Sequence, residues 1–241
     1  MRGRDWYSLR ETARFWRPEP LPVDLLVLFD VDGTLLDSAG RIADTMVAAF
    51  RAAGEAPPDR SAVQAAIGLS VPEMVGHLAA NATPDRREKI LAGYRLRFAD
   101  DIARETEPPV FPSAEDAILR LRRAGLCLGL ATGKSRLSVD RLLDVMGWHG
   151  HFQTVQCADD NPSKPDPAMI HRALRATGRA AGRTVLVGDT RYDMRMAAAA
   201  GIRAIGVAWG CNASDDLHAE GATAIAADFR HLTDILMELV P

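Results

Sequence analysis

Leu25-Leu26-Val27-Leu28-Phe29-Asp30-Val31-Asp32-Gly33-Thr34 decides the fold: an apolar run ends in two carboxylates on alternate residues and then in a glycine. A run with no polar alternation reads as a strand buried on both faces, as in a parallel sheet covered by helices. Open α/β sheets bind ligands beyond the carboxyl ends of their strands, which is where Asp30 and Asp32 stand. Residues two apart in an extended chain project to one side, and Gly33 lets the backbone turn away without a steric penalty. Both acids can therefore meet one ligand. Taken alone, the pair suits a metal site, a phosphoryl-accepting site or a structural turn.

Three further clusters fall at or just beyond predicted strand ends. Thr132-Gly133-Lys134 follows the strand read at Leu126 to Ala131, where a hydroxyl and a glycine N–H can bind phosphoryl oxygens. Ser163-Lys164-Pro165-Asp166-Pro167 sets a lysine just before a helix start, where ammonium and helix terminus both favour an anion. Gly188-Asp189-Thr190-Arg191-Tyr192-Asp193 closes the strand read at Thr184 to Val187; its acids suit metal ligation, and either also suits a helix cap. Asp30, Asp32, Asp189 and Asp193 beside a phosphate dianion would repel without a cation. Mg²⁺ together with Lys164 supplies about three positive units by formal count, and an all-oxygen donor set favours Mg²⁺ over zinc.

Between these clusters the chain changes character. From Arg41 to about Glu107 strand signals vanish, and Ile42, Met46, Ala49 and Phe50 form one helical stripe while Ile90, Leu91, Tyr94 and Phe98 form another. A short helix over Val71 to Ala80 and prolines at turns complete a helical insert of about four helices. After Pro112 helix and strand alternate, beginning with a helix capped by Ser113 and ending in an amphipathic helix near Phe229 to Leu239. The fold class expected is α/β, a parallel sheet flanked by helices with a small helical insertion. Residues 1–23 lack the apolar segment of a secretory signal and read as an N-terminal extension.

Composition bounds the partners. The 241 residues are 47% hydrophobic with a net charge of −3, which offers no general field for nucleic acid. No apolar run approaches the length of a membrane-spanning helix. Cys127, Cys157 and Cys211 have neither an even count nor paired metal-ligand spacing, so a soluble protein of the reducing cytoplasm is expected, as monomer or homodimer. Of 29 basic residues only Lys89, Lys134 and Lys164 are lysines. A lysine offers a compact charge that arginine's fork does not copy, which favours a functional role for Lys164 and leaves Lys134 open.

In order, these motifs resemble those of the haloacid dehalogenase superfamily, in the branch containing phosphoglycolate phosphatases: Asp30-Val31-Asp32-Gly33-Thr34, then Thr132, then Lys164 before Pro165, then Gly188-Asp189 with Asp193. The likeness runs from about Asp24 to the C-terminus and includes Ala200-Gly201 and Val207-Ala208-Trp209-Gly210. It implies a Rossmann-like core from residues 24–39 and 109–241, with residues 40–108 a mobile helical cap that closes over the site and reads the leaving group. It implies an Mg²⁺-dependent phosphatase for a small phosphorylated molecule, in which Asp30 attacks phosphorus and Asp32 protonates the leaving oxygen and later activates water. Thr132, Gly133 and Lys164 would hold the transferring group. The metal would sit on the Asp30 carboxylate, the Asp32 carbonyl and Asp189, with Asp193 direct or through water. Arg41, Ser70 and His77 are the cap candidates for substrate contact.

Within the superfamily, an acid two residues after the nucleophile separates this chain from dehalogenases and phosphonate-cleaving relatives. Sugar-phosphate mutases of the β-phosphoglucomutase type carry a histidine twelve residues beyond the nucleophile, where this chain has Ile42. Ile67-Gly68-Leu69-Ser70-Val71 departs from the Gly-Asn-Gly pattern of many phosphoglycolate phosphatases in the presumed substrate-facing loop. The alternatives are a pyrophosphatase, a mutase of the same superfamily, or a regulatory module without catalysis, against which the intact motif set speaks.

Overall fold

The computed structural model describes residues 23–104 and 107–240; residues 1–22, nearly all of the expected N-terminal extension, lie outside the described residues. Six strands form one parallel sheet: β1 (Leu26–Phe29), β2 (Cys127–Ala131), β3 (Thr154–Gln156), β4 (Thr184–Gly188), β5 (Arg203–Val207) and β6 (Ala224–Ala226), in the order β3-β2-β1-β4-β5-β6. The first strand is thus central, which is why its run is apolar on both faces. Val27 and Phe29 point into one hydrophobic layer with Leu128, Leu130, Val185 and Val187, and Leu26 and Leu28 into the opposite layer with Leu186 and Ala204. Burying a side chain of this kind is worth about 1.5–3 kcal/mol.

Helices cover both faces. Those after β2 and at the end of the chain, α6 (Arg136–Met146) and α10 (Phe229–Glu238), join α5 (Ala114–Arg123) on the Val27 face. The opposite face takes α7 (Ala168–Thr177), α8 (Arg191–Ala199) and α9 (Ser214–Ala219). β6 and α9 were not individually legible beforehand, because three-residue and six-residue elements carry too little periodicity. Ser113 precedes α5 as expected, but with φ of +68° its side chain makes no capping hydrogen bond.

Between β1 and α5 lie α1 (Ala39–Ala52), α2 (Arg60–Ala65), α3 (Val71–Leu78) and α4 (Pro84–Arg104). They pack on one another around Ile42, Met46, Phe50, Val63, Ile90 and Tyr94, a hydrophobic cluster separate from the two that sandwich the sheet. The chain leaves the sheet and returns to it side by side: Asp37 N donates to Pro109 O at 2.7 Å and Phe111 N to Leu35 O at 3.0 Å. Among the described residues no helix is long and apolar enough to cross a membrane.

Leu28 is fully buried in the central strand whereas Leu96 is exposed on α4. Leu28→Ala is expected to lower unfolding free energy by about 2–5 kcal/mol, and Leu96→Ala by no more than about 0.5 kcal/mol, in urea titrations read by circular dichroism. Equal midpoints for the two variants would contradict this assignment of the core.

Candidate active site

Register builds the site. Phe29 pairs with Leu130 on one side and Val187 on the other, so the residues just past the strand ends bring Thr132 and Asp189 to either flank of Asp30. Strand order runs one way from β1 to β3 and the other way from β4 to β6, so the change of direction falls between β1 and β4, where such sheets open a crevice. Gly33, at φ +82°, turns the chain there; a Cβ on it would stand 2.2 Å from Asp189 Oδ2. Gly210 is equally close on the other side, since its Cβ would fall 2.1 Å from that of Asp189. Only glycines leave room for this carboxylate.

Asp189 is held by Thr34 Oγ1, which donates to Oδ1 at 2.9 Å, and by Cys211 N, which donates to Oδ2 at 2.8 Å. Trp209 Nε1 donates to Thr34 O at 3.0 Å and so ties the loop after β5 to the turn after β1. Asp193 sits at the third position of α8 in a reciprocal cap: Thr190 Oγ1 and Thr190 N donate to its Oδ2 at 2.6 and 3.1 Å, and Asp193 N donates back to Thr190 Oγ1. Thr190, not an aspartate, is therefore the helix cap. Lys164 Nζ donates to Asp193 Oδ1 at 2.6 Å and stands 2.8 Å from Asp30 Oδ1.

Asp30, Asp189 and Asp193 are all buried, and oxygens of the three lie within 4.8 Å of one another. Asp30 is 1% exposed, and neither of its oxygens receives an aligned hydrogen bond, although the Lys164 ammonium stands 2.8 Å from Oδ1. Burial, followed by the repulsion of Asp193 and Asp189, outweighs Lys164 and pushes the Asp30 carboxyl up to about 8. Burial and then Asp193 raise Asp189 as well. Burial opposes the Lys164 ammonium, but Asp193 and Asp30 more than offset it and hold its proton more tightly than usual.

With all three carboxylates ionised and one lysine among them, two negative charges remain unmatched, the charge of one divalent cation. The orphaned Asp30 oxygens and the hard, all-oxygen donor set fit Mg²⁺. Asp193 fits least as a direct ligand, since one of its oxygens is already paired with the Lys164 ammonium and the other takes both donors of the Thr190 cap.

The fourth acid expected in this cluster stands apart. Asp32 Oδ1 accepts from Ser38 Oγ at 2.5 Å and from Lys134 Nζ at 2.8 Å, and its side chain is not among the clustered carboxylates. Its negative charge is matched by Lys134 rather than shared with Lys164, which corrects the count of four acids around one lysine. Lys134 is buried, and its ammonium lies 5.2 Å from the centroid of the Phe98 ring on α4. Phe98 stacks on Tyr94 at 5.3 Å. Lys134 is signalled by the scarcity of lysine and by its place after Thr132-Gly133, and Thr34 by its place in the first motif; nothing in the sequence assigns a role to Ser38 or Ser163.

Thr132 is fully buried, and its Oγ1 accepts from Lys134 N at 3.2 Å. A Cβ on Gly133 would meet Leu69 O at 2.7 Å, so the segment joining α2 and α3 rests directly on this turn. The same segment approaches Thr190 through Gly68; the Ser70 hydroxyl accepts no capping hydrogen bond from α3, while Ser70 N donates to Ser163 Oγ at 2.8 Å. Behind it opens a cavity of about 650 Å³ that reaches Asp30, Asp32, Thr132, Gly133 and Lys134. Arg41 and Ser70, expected to contact substrate, are not on its wall: the Arg41 guanidinium lies 5.5 Å from the Phe98 ring centroid.

Residues 27–207 match the model of the haloacid dehalogenase-like hydrolases. The chain is 34% identical over 207 residues to a protein of Dickeya dadantii (strain 3937) named "Probable phosphatase IndB", covering 85% of this chain and 90% of that one. It is 30% identical over 211 residues to a phosphoglycolate phosphatase of Pseudomonas fluorescens (strain Pf0-1), covering 86% of this chain and 78% of the relative. A hydrolase from Pseudomonas syringae has the same fold, with a TM-score of 0.80 at 21% identity over 90% of this chain and all of that one. The chain belongs to the haloacid dehalogenase-like hydrolases.

An Asp30 carboxyl raised from 3.8 to about 8 binds a proton in the folded but not the unfolded state between those values, so its contribution to stability is complete below pH 4 and is lost as pH rises to 8. Lys164 contributes fully below its ordinary 10.5 and does not vary in this window. In EDTA, the melting temperature of Asp30→Asn minus that of the unsubstituted protein is therefore expected to become more positive from pH 5 to pH 8. A difference that is flat across that range, or that falls, would contradict the charge assignment.

Proposed function

We propose that this chain is an Mg²⁺-dependent phosphatase of the phosphoglycolate phosphatase-like branch, hydrolysing a small-molecule phosphomonoester through an aspartyl phosphate on Asp30. The observation that carries this reading is a buried Asp30 whose oxygens take no aligned hydrogen bond, at the floor of a cavity that also reaches Asp32 and Thr132. A carboxylate so placed is poorly solvated and available to attack. The names of the two relatives, a phosphatase in each case, support the same class.

In this reading an Asp30 oxygen forms the new bond to phosphorus as the ester P–O bond breaks, and Asp32, which enters this step protonated in the substrate complex, gives that proton to the departing alkoxide. Asp32 then takes a proton from water as that water attacks phosphorus, which releases inorganic phosphate and returns the Asp30 carboxylate. Bound Mg²⁺, on Asp30, the Asp32 carbonyl and Asp189, would neutralise the oxygens of the transferring group. Lys164 holds Asp30 in place and adds positive charge, while Thr132 Oγ1 and Gly133 N–H offer donors on the opposite flank. Ser38 and Lys134 fix the Asp32 rotamer toward the cavity. The helices α1 to α4, as a cap, exclude water through the Gly68-Leu69 contact on Gly133. Ile42 lines the cavity and has no group that transfers a proton, which speaks against a mutase.

Asp30→Asn is expected to abolish hydrolysis of p-nitrophenyl phosphate, and EDTA to stop it until Mg²⁺ is restored; activity surviving either treatment would sink the mechanism. Asp32→Asn should lower kcat by about 10²–10⁴-fold as expected for loss of an acid–base group, and Lys134→Met by less. Stopped-flow and steady-state rates on the same preparation decide this: a Lys134→Met loss as large as that of Asp32→Asn would make Lys134 more than a positioning residue.

A further inference from the structure

We infer that the leaving group read by this site is bulky and largely apolar, a ring-sized organic group rather than a two-carbon acid; the inference rests on the phosphatase reading for the position of the phosphoryl group. The cavity of about 650 Å³ is of the size that encloses drug-sized ligands, and a phosphoglycolate molecule would leave most of it unfilled. Beyond the strand-end residues its wall is mostly apolar, with Ile42, Leu69, Val71, Met74 and Ile102 among the side chains facing it. Leu137, at the start of α6, stands 69% exposed on the same wall, an apolar side chain left in water beside the cavity.

The cations near the cavity do not turn it into a carboxylate site. Lys134 is already paired with Asp32. Arg95, Arg141, Ser135 and Ser138 reach the wall and give the substrate a polar edge, and Asp159 lies there as well; the larger share of the wall is apolar. A small charged leaving group would gain nothing from hydrocarbon walls, while an apolar one gains in proportion to the area it removes from water. Sequence reading alone had pointed to phosphoglycolate through the family branch; the wall of this chain's own cavity points elsewhere.

The test compares 1-naphthylmethyl phosphate with 2-phosphoglycolate, both alkyl esters, by kcat/KM with Mg²⁺ on the full chain. The expected preference for the naphthyl ester is at least about tenfold, the scale on which hydrophobic pockets discriminate by single carbon groups. Ala99→Trp, at an exposed α4 position on the cavity wall, is expected to reduce that ratio by at least about tenfold by filling space that only the larger group needs. A preference for phosphoglycolate, or a ratio untouched by Ala99→Trp, overturns the inference and leaves the phosphatase reading standing. Calorimetric binding of 1-naphthylmethylphosphonate against phosphonoacetate separates the two claims. Neither ester hydrolysed but the naphthyl phosphonate bound about tenfold tighter means that the cavity assignment holds and the phosphatase reading falls; equal binding with no hydrolysis overturns both.

Discussion

Three carboxylates and one ammonium share a single dry corner of the protein, and much of the local architecture follows from that crowding. Moving such ions out of water costs several kcal/mol each unless partners compensate. Asp193 is compensated twice, by the Thr190 cap and by Lys164. Asp189 has a hydroxyl and a backbone amide. Asp30 has the Lys164 ammonium beside it but no aligned hydrogen bond, and its proton affinity rises further than that of Asp189. The fold concentrates its unmet electrostatic demand on the atom proposed to react.

That arrangement depends on the sheet. Asp30 reaches the corner because β1 is central, with β2 and β4 on either side bringing Thr132 and Asp189 to one residue beyond its level. Glycines at 33 and 210 give Asp189 its slot, and Gly133 gives the Gly68-Leu69 segment its seat. Lys134 links the two halves of the story: it neutralises Asp32 below and lies over the Phe98 ring of α4 above. A displacement of α4 would thus be felt at Asp32 through Lys134, and if α1 to α4 act as the proposed cap, this contact would couple its closure to the group proposed to move protons.

Much of this was legible in the chain itself. The strands at Leu25 to Phe29, Leu126 to Ala131 and Thr184 to Val187 announced themselves by continuous apolar runs, and the chemistry-bearing residues follow each by one or two positions. Lys164 was legible because lysine is scarce. Asp32's separation from the other acids was not, because it depends on which way a side chain turns after the strand ends, and Ser38 and Lys134 decide that from six and 102 residues away. That Arg41 and Ser70 do not line the cavity was hidden for a similar reason: helical position tells which face a residue occupies, but not that the Arg41 guanidinium lies beside the Phe98 ring or that Ser70 is engaged through its backbone. The character of the cavity was equally hidden, since its wall gathers residues from α1, α3, α4 and α6, none of which signals a ligand alone.

Once Asp30 gives up its proton, Asp30, Asp189 and Asp193 leave two negative charges unmatched by Lys164, the charge that a divalent cation would supply. Titration calorimetry of Mg²⁺ into the metal-free protein at pH 7, in two buffers of different ionisation enthalpy, tests this most directly. A cation that displaces the proton held by Asp30 must release it to the buffer, so the observed heat should differ between the buffers, and both binding and proton release should weaken in Asp30→Asn. Heats independent of buffer, or Mg²⁺ binding unchanged by Asp30→Asn, would contradict the account.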